Sequence, residues 1–137
     1  MRYITSLDEA FEVITSEEQA RACVICDPRE SDNPIIYVTP EFECYTGYAK
    51  EEVLGRNCRF LQGPDTDPKS VEAIRDAIAN MTELQIMILN YRKDGTPFWN
   101  DLSIRPVFSD QGALKSFVAV QSIVSCPAEA QPSREVA

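Results

Sequence analysis

Apolar residues recur along this chain with two different periods, and the switch between them divides it. Leu7, Ala10, Phe11 and Ile14 follow helical spacing, and Ser6 with Glu9 reads as an S-x-x-E capping box. Together they predict an N-terminal helix over about 6–20. Two short β-like runs follow, Ala22 to Cys26 and Ile35 to Thr39, separated by the turn-rich DPRESDNP. No long periodicity holds from Pro40 to about Pro68, which predicts several short helices. Asp67 and Pro68 read as the N-cap and first residue of a helix reaching about Asn80. Beyond it, three runs predict strands at about 83–92, 97–107 and 115–124, joined by Asp94-Gly95 and by Asp110-Gln111-Gly112. Two short strands, a helical middle and a three-stranded antiparallel meander make an α+β domain, with helices covering one face of the sheet.

The same alternation shows which side chains share a face in the last three strands. Asn90 falls in step with Leu84, Ile86 and Ile88. Asn100 falls in step with Phe98, Leu102 and Ile104, and Gln121 with Phe117, Ala119 and Ile123. Each strand thus sets one carboxamide among apolar neighbours, where an unpaired amide costs about 1–3 kcal/mol. The three amides bond to backbone or to one another, or they read a ligand. A carboxamide offers both donor and acceptor. A set of them suits a ring edge carrying C=O, N–H and C=O in sequence, such as the pyrimidine side of a flavin. Arg59 and Arg75 are candidates for a terminal phosphate through charge-assisted hydrogen bonds. The alternative for Arg75 is an exposed pair with Glu72, worth little.

Composition narrows the classes. With 137 residues, 44% of them hydrophobic and 26% charged, the chain suits one soluble globular domain. A formal net charge of −9 argues against nucleic-acid binding, which rests on clustered Lys and Arg. No run reaches the ~18 uninterrupted apolar residues of a membrane span, and acids break up the N-terminus, so it is no signal peptide. The expected location is the cytoplasm, with neither nucleic acid nor membrane as partner. The five cysteines, Cys23, Cys26, Cys44, Cys58 and Cys126, are odd in number and point to free thiols. Cys23 and Cys26 match C-x-x-C, but an odd separation in a strand sends them to opposite faces. The chain has no histidine to complete a zinc site, and no metal is expected.

Cys58 is the exception to ordinary cysteine placement. It sits in GRNCRFLQG, Gly55 to Gly63, between polar residues and two arginines. A ground-state nucleophile needs its pKa lowered from the ordinary ~8.5, usually with a base nearby, and no histidine exists to serve. This motif, followed by NYRKDGTPFWN and FVAVQ, resembles the LOV (light-oxygen-voltage) flavoprotein photoreceptors, a branch of the PAS fold. The resemblance covers about residues 22–124, and DNPIIYVTPEF and Gly47-Tyr48 are similar to the family's early strands and first short helices.

The resemblance implies a five-stranded antiparallel sheet with short helices enclosing non-covalently bound FMN, with FAD or riboflavin as alternatives. It implies that Cys58 is the photoactive thiol, bonding reversibly to flavin C4a after blue light. It places Asn57, Arg59 and Gln62 on the ribityl-phosphate side, with Arg75 as the second phosphate arginine. Asn90 and Asn100 take the pyrimidine edge, and Gln121 faces flavin O4 and N5. Such chemistry needs a thiol held near the ring beforehand, but no base. The excited flavin supplies the driving force and the cysteine its own proton. Flavin N5 turns from acceptor to donor, so the Gln121 amide must rotate or rearrange its bonds.

The expected organisation is a cap helix over 1–21, a LOV core over 22–125 and a short disordered tail over 126–137. That describes a short LOV protein without a fused effector, and not an enzyme. Its output surface is the N-terminal helix with the outer sheet face. There the Leu7, Phe11 and Ile14 stripe forms a homodimer interface or caps its own sheet, beside an unidentified signalling partner. By the same resemblance, Cys26 stands where many members carry Thr or another small residue, and it faces either inward or outward. Cys44 reads as a buried helix residue. The competing function is a redox-sensing flavin PAS domain in which Cys58 matters little. A flavin- or thiol-dependent enzyme has least support, lacking a histidine, a metal cluster or a Gly-rich dinucleotide loop.

Overall fold

The computed structural model describes residues 3–124. Cys126 and the tail expected to be disordered lie outside the described residues. The strands are Ala22–Cys26 (β1), Ile35–Val38 (β2), Leu84–Tyr91 (β3), Pro97–Phe108 (β4) and Leu114–Val124 (β5). They form one antiparallel sheet in the order β2-β1-β5-β4-β3. The β3-β4-β5 meander is local, but β1 pairs with β5 and ties the two ends of the domain together. All five β1 residues are buried, which is why its apolar run shows no alternation.

Four elements cover the inner face: Pro40–Thr46 (α3), Lys50–Val53 (α4), a 3-10 turn at Cys58–Leu61, and Pro68–Asn80 (α5). Helix α5 starts where its capping residues require. The Asp67 carboxylate accepts from the Lys69 N–H at 2.9 Å, and Pro68 takes the first helical position. Its Ile74 and Ile78 pack against an inner core that includes Val24, Phe42, Ile88 and Phe117.

Three expectations are corrected. The N-terminal segment is two short helices, Leu7–Ala10 (α1) and Ser16–Gln19 (α2), not one. The reason is a second capping box. Thr15 Oγ1 accepts from Glu18 N at 3.1 Å, while Glu18 Oε1 accepts from Thr15 N at 2.9 Å, which starts a new helix there. Helices also cover both sheet faces. Ala10 and Ile14 are buried in an outer cluster with Cys23, Ile25, Val118 and Val120, whereas Leu7 and Phe11 of the same stripe stay exposed. Finally, Cys44 is exposed. Phe42 and Thr46, four residues apart, form the buried face of α3, and Cys44, midway between them, faces away.

Arg105 clamps the outer cap to the sheet, beside the bonds from Tyr37 Oη to Gln19 Oε1 at 2.6 Å and from Ile4 N to Ile36 O at 3.1 Å. Arg105 donates to both Glu18 carboxylate oxygens, at 2.6 and 3.1 Å, and to the Val13 carbonyl at 3.2 Å. Burial alone would push the Glu18 carboxyl up, but the Arg105 hydrogen bonds and charge, with the Thr15 N–H, bring it below its ordinary 4.5. A depressed folded pKa contributes stability that is present above the unfolded value and lost as pH falls through the folded one. Arg105→Ala should therefore cut the hydrogen-exchange protection of residues 4–19 at neutral pH, and in the wild type protection should fall as acid protonates Glu18, at a pH below its ordinary 4.5. Unchanged protection in Arg105→Ala would show that the apolar contacts and the Tyr37 and Ile36 hydrogen bonds hold the cap without it.

Candidate functional site

Between the inner sheet face, α5 and the 3-10 turn lies a cavity with an open mouth. Ile88, Leu102, Ile104 and Phe117 from the sheet and Ile74 and Ile78 from α5 make its walls apolar. Into these walls the fold brings Asn57, Cys58, Arg59, Gln62, Asn90, Asn100 and Gln121. Arg75 lines an adjoining groove at the mouth, which shares Asn57, Arg59 and Gln62 with the cavity.

The strand register assembles the amides. Asn100 stands opposite Ile88, and Gln121 opposite Leu102, which puts all three amides on the inner face. Asn100 Nδ2 donates to Asn90 Oδ1 at 2.9 Å, and Asn100 Oδ1 accepts from Ser122 N at 3.2 Å. Asn90 Nδ2 donates to the Leu89 carbonyl at 3.3 Å. Gln121 differs. Its Oε1 is buried with no hydrogen-bond partner, a state that costs about 1–3 kcal/mol and calls for a ligand.

A second orphan was missed by sequence reasoning. Asn33 Oδ1 is also buried without a partner, and Asn33 lines both cavity and groove. Asp32 and Asn33 adopt φ of 66° and 48°, a left-handed conformation these residue types tolerate best after glycine. The only sequence signal is the SDNP turn composition, which marks a loop but not which of its residues turns inward.

The motif around Cys58 is held from both ends. Gly55 has φ 88°, and the segment is tied to β2 by Gly55 N to Ile35 O and Ile35 N to Arg56 O, both at 2.8 Å. Asn57 caps the 3-10 turn: its Oδ1 accepts from Arg59 N at 3.0 Å, and its Nδ2 donates to the Asp32 carbonyl at 2.8 Å. The apolar pair anchors the turn, with Leu61 buried and Phe60 edge-on to Tyr48 at 5.0 Å. A Cβ at Gly63 would lie 2.3 Å from the Tyr91 ring, so only glycine lets the chain pass there. The polar flanks of Cys58 thus build the turn that presents it, half-buried, at the cavity wall.

Chain comparisons agree with this architecture. The PAS domain family matches residues 21–122. Blue-light-activated histidine kinase 1 of Erythrobacter litoralis is 42% identical over 127 residues, which are 90% of this chain and 35% of the kinase. The blue-light photoreceptor of Listeria monocytogenes is 51% identical over 102 residues, 74% of this chain and 40% of that protein. The light-state structure of the blue-light photoreceptor Aureochrome1 LOV superposes with a TM-score of 0.75 at 43% identity, covering 82% of this chain and 89% of that one. This chain is a LOV domain of the PAS family. It spans well under half the length of either curated relative.

Within the LOV domain, the phosphate candidates differ in state. Arg59 pairs with the Asp32 carboxylate at the mouth, both side chains being 58% exposed. Arg75 makes no ion pair among the described residues, not even with Glu72. An exposed pair contributes about 0–1 kcal/mol, so an arriving dianion can take Arg59 from Asp32. Among the described residues no His/Cys/Asp/Glu cluster could hold a metal, and no helix is long and apolar enough to cross a membrane.

The cysteines separate by face. Cys23 lies in the outer cluster, where burial first and the Glu18 charge second push its thiol up to about 12. Cys26 points inward, buried in the cavity wall with its Sγ 3.8 Å from Cys58 Sγ. Contact with the Cys58 thiol and burial both push the Cys26 thiol up, so it stays neutral at physiological pH.

Proposed function

We propose that this LOV domain is a blue-light photoreceptor that holds FMN non-covalently in the dark and responds to light by a reversible bond from Cys58 to flavin C4a. The observation that carries the reading is a half-buried thiol and an orphaned buried amide oxygen on the wall of one apolar cavity. The residues fit a flavin. Apolar side chains suit the faces of its ring, and Asn90, Asn100 and Gln121 suit its polar edge. Arg59 and Arg75 at the mouth suit a terminal phosphate, which favours FMN over riboflavin; FAD remains the alternative.

When bound, the flavin would supply blue-light absorption and an electron-poor carbon for the Cys58 thiol. The protein's part is positional. Asn57, Gly55 and the Phe60–Tyr48 contact fix the turn that carries Cys58, so the sulfur is in place before excitation. The Gln121 amide carries one acceptor and two donor hydrogens, and meets a change in its partner by turning over. Gln121 is on β5, paired with β1 at Ala22, directly after α2. The signal then passes to the outer cap, where exposed Leu7 and Phe11 offer a homodimer contact. This is a signalling role, not turnover, and its free thiols suit the cytoplasm.

Absorption spectra of the purified protein in the dark, after blue light and through recovery test the reading. Reversible bleaching of a bound flavin band supports it. Bound flavin that never bleaches points instead to a redox sensor, and absence of flavin removes both. Gln121→Leu should keep the bleaching but lose most of the light-induced change in hydrogen exchange at residues 4–26. A wild-type-sized change there would take Gln121 out of the signal path.

A further inference from the structure

Cys26 is the chemically distinctive residue of the cavity that the photoreceptor reading leaves unused. Its sulfur lies 3.8 Å from that of Cys58, on the opposite side of the junction between sheet and helical layer. A disulfide needs about 2.05 Å, so the two sulfurs must approach by less than about 2 Å, within the reach of a χ1 adjustment at either residue. Both ends have room to adjust. The β1–β2 register shifts between Ile25 and Cys26, loosening the end of β1. Cys58 opens a four-residue 3-10 turn rather than a long helix.

We propose that Cys26 and Cys58 form a reversible intramolecular disulfide under peroxide, and that this bond disables the photoactive thiol. The inference rests on the photoreceptor reading for its consequence, but not for the bond itself. Exposure sets the order of events, because Cys58 is half-buried at the cavity wall and Cys26 is buried behind it. Cys58 sulfur attacks one oxygen of hydrogen peroxide. The O–O bond breaks, the attacked oxygen stays on sulfur with its hydrogen, the other leaves as hydroxide and takes the thiol proton as water, and Cys58 becomes a sulfenic acid. Cys26 sulfur then attacks Cys58 sulfur, the S–O bond breaks, and the Cys26 proton leaves with the hydroxide as a second water. Two thiols have lost two electrons, and the peroxide has gained them.

The neutral state of Cys26 in the resting protein fits this order, since a resolving thiol has only to react after Cys58 is oxidised. Cys23 faces the other side of the sheet and Cys44 is exposed on α3, so neither can substitute. A cell with high peroxide would then hold the domain dark-locked, and light would signal only under reducing conditions.

The test uses the flavin-loaded wild type kept in the dark, titrated with hydrogen peroxide, alkylated and digested. The expected result is a peptide joining Cys26 to Cys58, an intact mass lower by two hydrogens, and reversible bleaching lost in proportion. Dithiothreitol should restore both mass and bleaching. In Cys26→Ser the cross-link is absent, and dimedone, which captures sulfenic acids, labels Cys58 far more than in the wild type. Equal dimedone labelling of wild type and Cys26→Ser, with no joined peptide, would overturn the bond. Full bleaching by cross-linked protein would overturn the gating. Reduced protein that never bleaches would instead remove the photoreceptor reading, while the joined peptide could still form.

Discussion

Cys58→Ala should still bind flavin and show no reversible bleaching at all. The turn does not depend on this side chain, because Asn57 supplies the cap and Leu61 and Phe60 supply the anchors. Removing one sulfur costs about 1 kcal/mol of packing, small against a folding stability of about 5–15 kcal/mol. The photochemical loss is complete if the reaction belongs to Cys58, because among the described residues only Cys26 brings another thiol to the cavity. The chain has no histidine, and Cys23 and Cys44 lie away from the cavity. Among the described residues, Cys26 is the one competitor within reach. Residual bleaching in Cys58→Ala that disappears in Cys58→Ala/Cys26→Ala would move the reaction to Cys26. Wild-type bleaching in the double variant would end the thiol mechanism.

The inner face of the sheet was legible in the sequence because period-two alternation is a local property. Asn90, Asn100 and Gln121 each sit in step with apolar neighbours, and the register brings them to one cavity. What alternation cannot supply is partners. That Asn100 and Asn90 bond to each other while Gln121 is left with a free oxygen depends on how three strands align. The strand order is equally non-local, since β1 enters beside β5 across nearly the whole chain. The break between α1 and α2 was legible and overlooked. Thr15-Ser16-Glu17-Glu18 is an S/T-x-x-E box as plain as Ser6 to Glu9, and the continuing apolar stripe masked it. Cys26 and Cys58 are 32 residues apart and in different kinds of element, so nothing local announces that their sulfurs meet.

Asn100→Ala should weaken flavin binding by roughly ten- to a thousand-fold and lower the melting temperature of the flavin-free protein. Asn100 is 1% exposed and uses both ends of its amide. Its removal strips Asn90 Oδ1 of its donor and Ser122 N of its acceptor, and each loss costs about 1–3 kcal/mol when the group stays buried. The neighbouring cavity can admit water to one of them, which keeps the stability loss toward the lower end. Affinity has no such relief. A ligand edge meeting Asn100 loses its own bond and meets an Asn90 amide no longer held in orientation, about 1.4–4 kcal/mol together at 1.4 kcal/mol per tenfold. Asn100→Asp separates the two effects. It keeps the shape and the acceptor for Ser122 but turns an oxygen toward Asn90 Oδ1, where two acceptors repel. Fluorescence titration with FMN should therefore rank wild type well above both variants, while thermal unfolding without FMN shows which loses more fold. If both variants bind FMN with wild-type affinity, the amides hold the sheet together and some other edge of the cavity reads the ligand.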